Sequence, residues 1–267
     1  MDLQFAGLLF LTFIIHLIGT LAYGVQITGV TTKRIAISLA LFNLVALISR
    51  TANAFQAPLL AKRIENSLQL AYPASLEADF RWLLFATSLA TLAGALLIPT
   101  FHRLLAQAVL SFSIRRSVPK VILHGFSKAG ILHLRESIRL PQPQMLTHLS
   151  REQHFPLRLV VLNAFVIAVW TVGVLASLYA GYLQPDYRVT ASNLSSIING
   201  VATIIMFASI DPYLSILTDD TLQGKVGLGS MRRAIVWLVG SRFAGTLAAQ
   251  LLLIPTASFI AWLAQEL

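Results

Sequence analysis

The residues of this sequence best suited to chemistry lie where polar groups are costly. Residues 41–63 read LFNLVALISRTANAFQAPLLAKR, an apolar run interrupted by Arg50, with Asn43 before it and Asn53 and Gln56 after it. An arginine at the centre of a membrane helix costs about 2.5–3.5 kcal/mol on insertion scales, and such residues mark substrate or ion paths by default. Steps of 100° per residue put Ala36, Asn43, Ala46, Asn53, Ala54 and Ala57 on one stripe with Arg50, and Leu41, Ile48, Phe55 and Leu59 opposite. Small residues there leave room for a neighbouring helix or a ligand. The plainer alternative is an arginine that snorkels outward or holds a backbone carbonyl.

Arg242 is a second cation within an apolar run, with Gly245, Thr246 and Ala249 on its face and Asp211 available to neutralise it. Measured from Arg34 and Arg233, Arg50 falls about 24 Å and Arg242 about 13 Å along their helices, which places them in opposite halves of the bilayer. His16 can carry a proton or make a single interhelical hydrogen bond. In LTDDTLQGKVGLGSMRR (217–233), Asp219, Asp220 and Lys225 can serve an entrance or simply cap a helix end. The glycines of that stretch follow no strand, so they carry no phosphate-loop signal. No histidines stand at a helical metal spacing. The absence of cysteine excludes disulfides, thiolate metal sites and a cysteine nucleophile. No cofactor and no metal is expected.

These residues need membrane helices to position them. The 267-residue chain is 56% hydrophobic and 12% charged, against about 25% charged in soluble domains. A bilayer core of ~30 Å takes about 20 apolar helical residues. Six segments qualify, at 3–23, 35–60, 80–101, 157–182, 193–215 and 234–263. The fold class is therefore all-α, a single polytopic transmembrane domain over 1–267. The first segment does not read as a cleaved signal, since Asp2 stands where basic residues belong. The net charge of +9 sits between spans, so it reads as topology rather than nucleic-acid binding. Fourteen of the 20 lysines and arginines fall in the loops at 33–34, 102–158 and 225–233. Those loops belong in the cytoplasm, with both termini outside. The 102–156 loop mixes apolar and basic residues and predicts amphipathic interfacial helices, broken by Pro119, Gly125 and Gly130 and ended by LPQPQ (140–144). SRTAN (49–53) and SRFAG (241–245) form a faint internal echo on two helices that run the same way.

Three stretches carry a resemblance: TFIIHLIGTLAYGVQITGVTTKR (12–34), SLALFNLVALISRTANAFQAPLL (38–60), and TDDTLQGK followed by RR and SRFAGTLAAQ (218–250). Together they closely resemble the Amj family of bacterial membrane proteins. The resemblance covers nearly the whole length and is weakest in the 102–156 loop. It implies an alternate lipid II flippase, able to replace the unrelated MurJ protein. Such a protein moves undecaprenyl-diphosphate-linked peptidoglycan precursor from the inner to the outer leaflet of the bacterial plasma membrane. Lipid II and membrane lipids are then the partners. Six helices form a small enclosure for so large a headgroup, which leaves a homo-oligomer open. Given that substrate, Arg50 and Arg242 can act as successive diphosphate stations, with Asn43, Asn53, Gln56 and Thr246 along the path and His16 and Asp211 in charge coupling. Guanidinium suits phosphate oxygens because its fork of donors is planar and keeps its charge. Two other classes compete: an enzyme acting on polyprenyl diphosphate, and a non-transporting scaffold for cell-wall synthesis. The first needs grouped histidines and acids, which are scattered here; the second has no use for arginines inside a span.

Overall fold

The computed structural model describes residues 2–69, 76–125, 127–141 and 155–267, which form helices and turns without a strand among them. Helix α1 (Leu3–Thr32) starts where the Asp2 carboxylate accepts from the Phe5 N–H, and it ends at Lys33, whose φ of 54° is left-handed. Helices α2 (Ile35–Gln69) and α3 (Leu76–Arg115) follow, then the short α4 (Val118–Gly125) and α5 (Lys128–Ser137). After α6 (Leu157–Leu183), a 3-10 turn at Pro185–Tyr187 leads into α7 (Arg188–Ile205). A π-helical turn at Met206–Ile210 joins α7 to α8 (Asp211–Leu222), and α9 (Leu228–Glu266) closes the chain.

Six stretches are long and apolar enough to cross a membrane: α1, α2, α3, α6, Pro185–Leu222 and α9. Their outer surfaces carry exposed Leu47, Ile48, Phe55, Trp82, Phe165 and Leu251. So much exposed apolar surface fits hydrocarbon rather than water. This is a multi-pass membrane protein. The helices run well past the expected spans. The largest difference is α3, which continues to Arg115 because Leu105 and Val109 keep its buried face in register against Val25 and Leu41. The expected interfacial segment therefore shrinks to α4 and α5. Pro119 falls in the first turn of α4, where its missing N–H costs nothing. Pro143, Gln144 and Arg151 of the loop lie outside the described residues.

The six spans pack as two groups of three. In one, α1 lies between α2 and α3; in the other, α6 lies between α9 and the α7–α8 stretch. Glycines allow the closest approaches: Gly94 of α3 faces Thr20 of α1, and Gly245 of α9 faces the Ala164 carbonyl of α6. The groups meet chiefly through α3 and α9. One end of the bundle carries Lys33, Arg34, Arg115, Arg116 and Lys225, and is called here the basic end. The opposite end carries Asp2, Arg63, Asp79 and Arg188.

The two ends are packed differently. In the opposite half, one large core joins both groups, with Phe5, Leu8, Leu60, Phe80, Leu83, Tyr179, Leu253 and Ile260 among its members. Arg63 reinforces it, pairing with Asp79 at 2.7 Å and Asp2 at 2.9 Å and lying 4.7 Å over the Phe5 ring. In the basic half the apolar contacts divide into separate small clusters around Ile98 and Ile235, Leu41 and Leu105, and Leu214 and Leu238. The two groups share one continuous core in the opposite half and smaller, separate contacts in the basic half.

Candidate functional site

Arg242 sits where the two groups meet. It is 8% exposed, and its guanidinium lies over Gly19 of α1, where an added Cβ would stand 2.7 Å from Nη2. His16, one turn back on α1, shares this patch. Its Nδ1 and the Arg242 Nε are both buried without a hydrogen-bond partner. Ser241 accepts a 2.7 Å bond from Asn163 Nδ2, which also donates to the Leu238 carbonyl; Asn163 Oδ1 is left unpartnered. Among the described residues no carboxylate lies within ion-pair distance of Arg242. The expected neutralisation by Asp211 is not seen: Asp211 is half-buried after the π-helical turn and makes no ion pair among the described residues. A buried guanidinium without a counter-ion, beside other unmet polar atoms, is a site shaped for an anion.

Arg50 is placed differently from the expectation. Helix α2 packs through Ser38, Leu41, Ala52, Gln56, Leu60, Ile64 and Ser67, while Asn43, Arg50, Asn53, Ala54 and Ala57 are exposed beside that seam. The polar stripe is an open flank of α2, not its packed face. Its depth also differs. Ser49 reaches toward the Ile15 carbonyl, and Arg242 lies over Gly19. Ile15 and Gly19 are one turn of α1 apart, so the two arginines differ in depth by about one turn, Arg50 lying nearer the opposite end, which is less than the roughly 11 Å that the count gives. Counting from Arg34 and Arg233 gives their order but overstates their separation, because those residues do not mark the same depth. Arg232 lines a cavity beside Ile27 and Ile98, well inside the level of Arg34.

Two other expected path residues are buried with their side-chain donors already engaged. Gln56 Nε2 donates to Thr12 Oγ1 at 2.6 Å in a buried α1–α2 contact, and Thr246 Oγ1 donates to the Phe243 carbonyl. Asp219 and Asp220 end α8, where their carbonyls accept from Gln223 and Lys225, and Lys225 Nζ lies 3.2 Å from Asp220 Oδ1. They form the helix-end alternative and do not line the cavity described next.

That cavity, of about 1010 Å³, lies in the basic half between α3 and α9, with Ile27 of α1 and residues 139–141 also in its wall. Arg103, Arg139 and Arg232 reach it from three separate segments, together with His102. The rest of the lining is apolar and includes Leu96, Ile98, Pro99, Ile235, Val236 and Val239. Arg232, Ile235, Val239 and Arg242 recur at helical spacing, so one face of α9 runs along the cavity wall from Arg232 to Val239 and reaches the buried arginine one turn further on, about 15 Å from Arg232 at 1.5 Å per residue. The spacing of that face was readable in the sequence; the convergence of Arg103 and Arg139 upon it was not.

Comparison with known proteins agrees with this architecture. The family described as Amj, Alternate to MurJ, matches residues 11–264. A Bacillus subtilis (strain 168) protein named Lipid II flippase Amj is 37% identical over 251 residues, covering 94% of this chain and 93% of that protein. No solved structure matches. With the match spanning nearly the whole chain, this protein belongs to the Amj family.

Proposed function

We propose that this protein is a lipid II flippase, a transporter rather than an enzyme. It carries the undecaprenyl-diphosphate-linked peptidoglycan precursor from the inner to the outer leaflet of the bacterial plasma membrane. The name of its Bacillus subtilis relative supports the substrate. The observation that carries the mechanism is Arg242: a nearly buried guanidinium without a counter-ion, at the level where the two helical groups meet. Arg50 stands on the flank of α2, about one turn of α1 further toward the opposite end. The two arginines form one mid-depth station for the diphosphate, flanked by Asn43 and Asn53, while the polyprenyl tail stays in lipid. His16 faces the same station, and its protonation would add a positive charge beside Arg242. The basic end belongs in the cytoplasm and both termini outside, because basic loops are retained inside. The basic half, where the groups are joined by smaller contacts around a cavity, then receives substrate from the inner leaflet.

The test uses cells in which this protein is the sole lipid II flippase. Leaflet-resolved lipid II should be found outside when the protein is present and should accumulate inside when it is depleted. Accumulation inside despite normal abundance of the protein would overturn the assignment.

A further inference from the structure

We infer that the cavity between α3 and α9 is the loading site for the diphosphate end of the polyprenyl lipid, distinct from the mid-depth arginines. This rests on the transport reading above. Three guanidinium groups from distant parts of the sequence are gathered at its wall: Arg103 on α3, Arg139 after α5, and Arg232 on α9. Among the described residues none of the three pairs with a carboxylate. Their mutual repulsion is relieved by an anion.

The gathering is built rather than incidental. The Arg139 N–H donates to Thr100 Oγ1 at 3.0 Å, and Thr100 Oγ1 lies 3.0 Å from the Arg139 carbonyl, which fixes the tail after α5 to α3 one turn from Arg103. His102 Nδ1 is 3.0 Å from Thr28 Oγ1, which ties this turn of α3 to α1.

The rest of the cavity selects the kind of anion. A free phosphate or nucleotide has no use for a wall of Ile27, Ile98, Ile235, Val236 and Val239. An amphiphile does: its charged end meets the arginines and its first isoprene units meet the wall. Leu96 in the cavity lining is 45% exposed, and from there the chain would pass into lipid between α3 and α9. A phospholipid carries one phosphodiester charge. A diphosphate presents enough oxygens for three guanidinium forks. The volume lies at the top of the ~300–1,000 Å³ range of small-molecule sites, enough for a diphosphate and adjoining sugar.

The experiment measures binding of undecaprenyl diphosphate to the purified full-length protein in nanodiscs, with phosphatidylglycerol and inorganic pyrophosphate as competitors. Arg103→Gln, Arg139→Gln and Arg232→Gln should each weaken binding about tenfold, the loss of one charge-assisted contact. Arg116→Gln, outside the cavity, should change it less than twofold. Arg50→Ala should still bind and fail to transport. Binding unchanged in the triple Arg→Gln variant overturns the loading site, as does equal displacement by phosphatidylglycerol, which marks a general anionic-lipid site. If either result accompanies normal lipid II transport by the wild type, only the cavity assignment falls. If wild-type protein moves no lipid II, the transport reading itself falls.

Discussion

Replacing Arg242 with methionine should make the protein more stable and inactive at once. A charged side chain at the centre of a membrane helix costs about 2.5–3.5 kcal/mol. In this fold nothing offsets that cost, because Arg242 Nε has no partner and no carboxylate lies near among the described residues. Methionine fills much of the same volume over Gly19 with an adaptable apolar chain. Some dispersion contact and the outer reach of the guanidinium are lost. The net gain should be about 1–3 kcal/mol, in line with the effect of replacing buried ions by apolar residues.

The assay is thermal unfolding in nanodiscs of one lipid composition, beside growth of cells that depend on this protein. The midpoint for Arg242→Met should rise by several degrees while growth fails. Arg242→Lys keeps the charge without the planar fork, and should fold with reduced transport. A lowered midpoint for Arg242→Met would mean that the guanidinium is a structural tie. Growth at wild-type rate would mean that no substrate passes through it. Either result refutes the reasoning that a cation stays there at a cost to stability because transport needs it.

Arg50→Ala should abolish transport at normal abundance and leave stability within about 0.5 kcal/mol, since Arg50 is exposed beside the α2 seam; Arg50→Lys should keep partial activity, with growth and thermal midpoint as the two readouts. Gly19→Ala and Gly94→Ala should separate function from packing. At Gly19 the new Cβ meets the flexible end of Arg242 at 2.7 Å, so transport falls while the protein folds; at Gly94 it meets Thr20 Cβ at 2.7 Å and the Leu17 carbonyl at 3.3 Å, so the α1–α3 pair is destabilised by roughly 1–3 kcal/mol. Acid should loosen the opposite end: the Arg63 hydrogen bond, helped by the Phe5 N–H, holds the Asp2 carboxyl below the usual carboxylate range. Its stabilising effect is therefore full above the unfolded value of about 3.9 and is lost as pH falls through the lower folded value. Asp2→Asn should be modestly less stable than wild type near neutral pH and equal to it in strong acid, as read by unfolding midpoints across pH.

The six spans were legible because hydropathy and length leave little freedom to an apolar segment of 20 or more residues. Their ends were not. Amphipathic sequence beyond the bilayer, such as residues 102–115, continues a helix when a neighbour covers its apolar face, and only tertiary structure says that Val25 and Leu41 do so. The identities of the intramembrane cations were likewise plain, because an arginine in such a run stands out. Their depth was not, since a flanking basic residue is a poor ruler: Arg232 lines a cavity wall while Arg34 ends a turn. A wheel drawn for α2 separated the polar stripe from the bulky side, but most of both proves exposed, Leu41 apart. The seam that packs, Ala52, Gln56, Leu60 and Ile64, lies between them. Arg103 and Arg139 could not be joined from the sequence at all, because the Thr100 hydroxyl that brings them together is one polar residue among many.

The arrangement of the two helical groups explains why an anion at Arg242 can bear on the whole bundle. Within each group the packing is extensive and uses close glycine approaches, so each moves most readily as a unit. Between the groups the opposite half is held by one shared core and the basic half by the α3–α9 contact around the cavity. Arg242 belongs to one group and Gly19, His16 and Arg50 to the other, so its guanidinium spans the surface along which the groups would rock. Without an anion, Arg242 brings an uncompensated charge to that surface. On the proposed transport reading, a diphosphate held by Arg50 and Arg242 would draw both groups together in the basic half. That movement would load strain onto the opposite end, where the Arg63 ties to Asp2 and Asp79 and the core around Phe80 and Leu253 would have to yield. The substrate's charge would then supply the differential affinity between states that any transport cycle requires.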